Sequence, residues 1–140
     1  MSAHIYEEDC FMYKGYECRV LFISLGHRCG YVRVPKTHSL YRKAASYKYG
    51  MFAAFEEAVD CHGGITYFKE YLNGEPSKDS VWIGFDCAHW GDGVDIESKK
   101  KYFPNEKITV TPDKGEVRDL EFCRNECKKM VDQLIRKELD

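Results

Sequence analysis

Two groupings of histidine and carboxylate in this chain have the residue types and spacing for chemistry. His62 stands directly before Gly63-Gly64, and Asp86 is followed within six residues by His89, Trp90 and Asp92. Imidazole exchanges a proton near neutral pH, and a carboxylate can orient it or share a metal with it. His62, Asp86, His89 and Asp92 are therefore candidate catalytic residues for general acid–base work. Two histidines with one or two aspartates also suit a divalent cation with open positions, which would activate water or clamp a phosphate. His62, Asp86 and His89 are the candidate ligands in that case. Gly63 and Gly64 would let backbone come close to a ligand, and consecutive amides there could cradle an anion. A structural use suits the same residues: hydrogen-bonded histidines, with Asp86 and Asp92 capping turns.

These side chains need elements to position them. Val81 to Phe85 is β-branched and aromatic, the composition of a buried strand, with Val81, Ile83 and Phe85 on one face. The apolar run stops at Asp86, and Gly91-Asp92-Gly93 marks a tight loop. Tyr16–Leu25 and Tyr31–Val34 read as a hairpin around a turn at Gly26–Gly30, preceded by a turn at Lys14-Gly15. Alanines favour a helix within Tyr41–Ala58, centred on Met51–Ala58 because Gly50 interrupts the run. Ile65–Phe68 leaves the Gly63-Gly64 turn as a strand, and Glu70–Ser80 is a surface loop. Glu97–Lys101 reads as exposed and charged, and Lys107–Thr111 as a short extended segment. From Glu116 to about Leu139, Val117, Leu120, Cys123, Cys127, Met130, Val131 and Leu134 recur at helical spacing. Asp113 and Glu116 have the form of a capping box before it. The sum is an α+β fold: one domain over residues 1–140, a mostly antiparallel sheet with a long C-terminal helix packed on it. Residues 1–14 and 136–140 are its expected frayed ends.

Other residue types widen the chemistry. Seven cysteines are an odd number, and no C-x-x-C occurs. With no basic and apolar leader in Met1–Asp9, the expectation is reduced thiols in a cytosolic protein. Cys123 and Cys127 lie at i and i+4, where they could complete a zinc site with Cys61-His62 or Cys87–His89, or simply fill the core. Cys87 could be a nucleophile if its pKa were depressed. His27 and Arg28, with Arg33, Lys36 and His38, form a local basic patch that could meet a phosphate or face solvent. Tyr41, Tyr47, Tyr49 and Tyr67 could stack on bases; Tyr67 and Trp90 join His27, Arg28, Gly63 and Gly64 as candidate ligand-binding residues. The net charge of −2 argues against a nucleic-acid partner, and no apolar run reaches membrane-spanning length.

Several blocks occur together: Gly30–Pro35, His38–Tyr41, His62-Gly63-Gly64-Ile65-Thr66-Tyr67, Trp82-Ile83-Gly84-Phe85-Asp86-Cys87-Ala88-His89 with Gly91-Asp92, and Val117–Glu121 with Glu126-Cys127. In these, over roughly residues 16 to 134, the chain resembles a family of small, uncharacterised proteins encoded mostly by phages and prophages. The resemblance implies a phage-type cytosolic accessory protein and brings no activity with it. Small phage accessory proteins often act in counter-defence, which enters as an analogy of context.

Two function classes follow. In one, the His/Asp loops bind, and in a stronger form hydrolyse, a small phosphate-bearing or nucleotide ligand. In the other, the protein is a non-enzymatic inhibitor, anti-CRISPR-like or otherwise, that docks on a host defence protein. The first expects His62, Asp86 and His89 to converge.

Overall fold

In the computed structural model, residues 4–107 and 115–139 are described. The strands are β1 (Ile5–Tyr13), β2 (Tyr16–Ile23), β3 (His27–Pro35), β4 (Tyr67–Lys69), β5 (Tyr71–Leu72), β6 (Glu75–Pro76) and β7 (Ser80–Asp86). The helices are α1 (Ser39–Ala44), α2 (Met51–Ala58), α3 (Ile96–Tyr102) and α4 (Leu120–Leu139). Five strands form one antiparallel sheet in the order β1-β2-β3-β7-β4, and β5 pairs with β6 as a small hairpin. The fold is α+β, with α4 lying on the sheet.

Strand alternation divides the core in two. On one face Val20, Val32, Val34, Val81, Ile83 and Phe85 meet Cys123, Cys127, Met130, Val131 and Leu134 of α4, with Leu40 and Phe55 of the short helices. On the other, Trp82 is buried with Leu21, Cys29, Tyr31 and Leu72. The guanidinium groups of Arg19 and Arg33 lie 5.1 and 6.0 Å from the Trp82 ring and close that face with charge. Flanked by β3 and β4, β7 is buried from Ser80 to Phe85, which explains its unbroken apolar run.

Several elements depart from the sequence reading. Residues 5–13 are no frayed end: they form β1, paired with β2 on either side of a register shift between Glu7 and Asp9. Glu8 of this strand bonds Arg28 and Tyr102, and Tyr6 stacks on Tyr102 at 4.1 Å. Arg136 to Leu139 likewise remain helical. The hairpin turn is tighter than Gly26–Gly30, because His27 to Gly30 pair with Val20 to Ile23. Gly30 is a strand glycine: a Cβ there would lie 2.4 Å from the Phe85 ring, which covers it from across the ladder. The Tyr41–Ala58 stretch gives two short helices, the second being the expected Met51–Ala58.

Glu97–Lys101 lies in α3, which Asp95 caps through the Ser98 amide. Lys99 is buried and donates to the Ser24 carbonyl, so this run is not simply solvated. The C-terminal helix starts at Leu120 rather than Glu116. Its cap is Asp119, which accepts from the Phe122 amide at 2.8 Å. Glu116 is instead drawn into a parallel bridge with Asp92, and Asp113 lies outside the described residues. The extended segment expected at 107–111 also lies outside them beyond Lys107.

Candidate functional site

The site forms where β7 ends. Asp86 is the last strand residue, and its side chain accepts from the Ala88 amide at 3.1 Å, turning the chain into the 87–93 loop. Asp92 folds back beneath this loop and accepts from the His89 amide at 3.0 Å. The bridge to residues 115–116 fixes the far side of the loop: the Gly93 amide donates to the Glu116 carbonyl and the Glu116 amide to that of Gly91, at 2.7 and 2.8 Å. The bridge also brings Arg118 to Asp92.

Asp92 is the hub. Its side chain is 1% exposed. The carboxylate accepts from His62 Nε2 at 2.9 and 3.0 Å and from Arg118 Nε at 2.9 Å. Burial alone would raise its pKa; the hydrogen bonds from His62, Arg118 and the His89 amide outweigh that and hold it below the usual carboxylate value. An ionised carboxylate only accepts, so Nε2 of His62 carries a proton turned to Asp92. Phe122 meets the His62 ring edge to face at 5.2 Å, and the Arg118 guanidinium lies over Phe122. His62 is thus held on two sides.

His89 forms the second histidine–carboxylate pair. Its Nε2 lies 3.2 Å from Asp86 Oδ1 but is not aligned for a hydrogen bond, and this nitrogen is sealed from solvent. What seals it is Gly63. A Cβ at Gly63 would lie 2.2 Å from His89 Nε2, and Gly63 has a φ of +70°. Glycine is required here by both backbone and space. The ring centroids of His62 and His89 are 5.9 Å apart. Neither Nδ1 has a protein partner among the described residues, and neither is a sealed atom. Each imidazole thus turns one nitrogen to a carboxylate and leaves the other open.

The four candidate catalytic residues are therefore brought to one place as two crossed pairs, His62–Asp92 and His89–Asp86. Among the described residues no group of three or more His, Cys, Asp or Glu is placed to hold a metal ion, so His62, Asp86 and His89 do not form a three-ligand set. Gly63 serves as a seat for His89, and Gly64 has open space above it. His27 is partly buried on the same sheet face as Asp86; burial pushes its pKa down, against the charges of Asp86 and Asp92.

The rest of the basic patch differs from the sequence expectation. Arg28 is 4% exposed and paired with Glu8 and Asp95, so it is withdrawn from any phosphate. His38 is buried, accepts from the Leu40 amide as the α1 cap, and meets the Leu134 carbonyl through Nε2 at 2.8 Å. Tyr67 sits on β4, its hydroxyl committed to the Tyr71 carbonyl. Trp90 is fully exposed beside His89.

The cysteines are free thiols, most of them buried. Cys123 and Cys127 do not converge: Cys123 faces Cys87, with sulfurs 3.7 Å apart, and Cys127 faces Cys18. Cys87 is held far above the usual thiol value by its hydrogen bond to Cys123 and by burial, the reverse of an activated nucleophile. Burial likewise pushes Cys61, next to His62, up to about 12.

Sequence reasoning missed Arg118 and Phe122 as site residues. They stand 26 and 30 positions beyond Asp92 and are brought to the site by the 92–116 bridge, for which the sequence offers no local cue. An open groove of about 510 Å³ runs from Cys61 and His62 along Glu126, Lys129 and Gln133 of α4. Gln133 pins its near wall, its amide exchanging two hydrogen bonds with the Asp60 backbone at 2.7 and 2.8 Å. No helix among the described residues is long and apolar enough to cross a membrane. Comparison with family models, curated proteins and solved structures returned no match to the chain.

Proposed function

We propose that this chain is a phage-type accessory protein whose His62–His89 site binds a small phosphate-bearing ligand. The observation that carries this reading is the pair of imidazoles 5.9 Å apart, each with Nε2 turned to a carboxylate and Nδ1 left open. A protonated imidazole in this arrangement gives one N–H to its aspartate and one to a ligand oxygen, a charge-assisted contact. The test is NMR observation of the histidine rings during titration with inorganic phosphate. His62 and His89 should shift together while buried His38 stays fixed, and Asp92→Asn should abolish the response of His62. Unmoved rings at both positions would sink the reading.

Trp90 favours a second reading, in which the protein docks on a host defence protein. A wholly exposed tryptophan is a costly surface residue, and buried tryptophans anchor many interfaces. Under that reading Trp90→Ala removes inhibition while phosphate leaves the histidine rings unmoved.

A further inference from the structure

We infer that the outer face of α1, α2 and the turn between them is a second binding surface, and that its occupant is a single-stranded nucleic acid. This surface is separate from the His62–His89 site. The segment from Ser39 to Phe55 holds Arg42, Lys43 and Lys48 and no carboxylate, in a chain whose net charge is −2. The remainder is therefore acidic, and a polyanion is attracted here although the average charge of the molecule opposes it. Arg42, Lys43 and Lys48 are exposed, and none has a carboxylate partner among the described residues. By contrast Arg19, Arg28, Arg33, Arg118 and Arg124 are each paired with one. Tyr47, Tyr49 and Phe52 are interleaved with these free cations. Such a mixture holds an unpaired strand, because cations meet phosphates while rings stack on bases of any sequence.

The fold brings these side chains together. Between α1 and α2 lies an open cleft of about 230 Å³, floored by Leu40, Ala44 and Ala54 and edged by Lys43 and Tyr47. Glu57 also borders it, and its carboxylate accepts from the Tyr47 hydroxyl, which fixes that ring against α2. The Tyr49 ring meets Tyr47 edge to face at 5.5 Å, and the Lys48 ammonium lies 4.9 Å from the Tyr49 centroid. Lys43, Tyr47, Tyr49 and Lys48 thus form one row, running from an apolar cleft to a ring that is 67% exposed. A base stacked on Tyr49 lies beside Lys48, and a strand continuing over Tyr47 meets Lys43. The large apolar side chains exposed along this segment, Tyr49 and Phe52, are both rings, which suits bases better than lipid tails.

The test is fluorescence anisotropy of a short labelled oligo(dT) titrated with the full chain at several salt concentrations. Binding should weaken with salt at a log–log slope of about −2, the value for three phosphates neutralised on a single strand. Lys48→Gln should make the slope shallower by about 0.7. Tyr49→Ala should weaken binding about tenfold and leave the slope unchanged. Both side chains are exposed, and melting temperatures check that the variants fold. Trp90→Ala should bind as wild type does. No binding of the oligonucleotide, or equal binding by Lys48→Gln and Tyr49→Ala, overturns the inference. Loss of binding in Trp90→Ala alone moves the strand to the 87–93 loop and overturns it too. A duplex bound as tightly as the single strand leaves charge as the sole cause and overturns the stacking assignment. Capture of phosphatidylglycerol vesicles without oligonucleotide binding gives the face to a lipid surface instead.

Discussion

Gly63 shows how one missing side chain can set a neighbour's position. The His89 ring rests where its Cβ would be, and the positive φ removes the option of a relaxed alanine. Gly63→Ala should therefore displace His89 and destabilise the fold by about 1–3 kcal/mol, from overpacking and backbone strain together. Urea unfolding gives the energy and the His89 NMR signal gives the displacement; an unmoved ring would show that the seat is not what places it. At this scale the sequence was legible by residue type. His62, Asp86, His89 and Asp92 stand out as polar groups at a strand end and a glycine turn. Their partnership was not legible, since local spacing favours His89 with Asp92 whereas the fold gives Asp92 to His62 across 30 residues. Arg28 reads in the sequence as a phosphate contact or a solvated charge, because its partners Glu8 and Asp95 are 20 and 67 residues away.

Among the elements, α4 covers most of one sheet face. Met130 and Leu134 are fully buried beneath it, while Leu120 is only partly so. Met130→Ala should cost about 2–5 kcal/mol and Leu120→Ala clearly less. Chemical denaturation of the two variants checks the order, and equal losses would mean that the first turn is docked as firmly as the middle. The period of this helix was plain in its apolar spacing, and the buried strand β7 in its composition. Its start was not, because Glu116, where the apolar period begins, is drawn instead into the bridge with Asp92, and Asp119 takes the cap. Tertiary pairing overrode local propensity there. It did so again at Gly30, a turn residue by type that serves as a strand residue under Phe85.

For the whole molecule, the buried charges set a direction for pH dependence. Asp92 and Asp95 are held below the normal carboxylate value; for Asp95, burial would raise it but Ser98 and Arg28 bring it down. A carboxylate lowered on folding stabilises the native state above its unfolded pKa of about 4 and loses that contribution as pH falls through the folded value. His27 adds to this from higher pH. Its pKa is lowered by burial, so below about 6.5 the unfolded chain takes up the proton more readily and stability falls. Melting temperature should accordingly decline from about pH 6.5 downward and more steeply below about pH 4; a flat profile would contradict the burial of these groups.

The sheet order also dictates when the fold can close. The inner strand β7 is the last of the seven strands among the described residues, and it pairs with both β3 and β4. During synthesis the β1-β2-β3 meander therefore emerges with one long side unpaired and its Val32 and Val34 uncovered. It must wait some 45 residues, from Pro35 to Ser80, for the strand that completes it. α4, which shields the same face, emerges later still. A nascent chain halted before Ser80 is thus a sticky half-sheet, and such chains depend on chaperones or aggregate. The open side of the meander persists until β7 takes its place between β3 and β4.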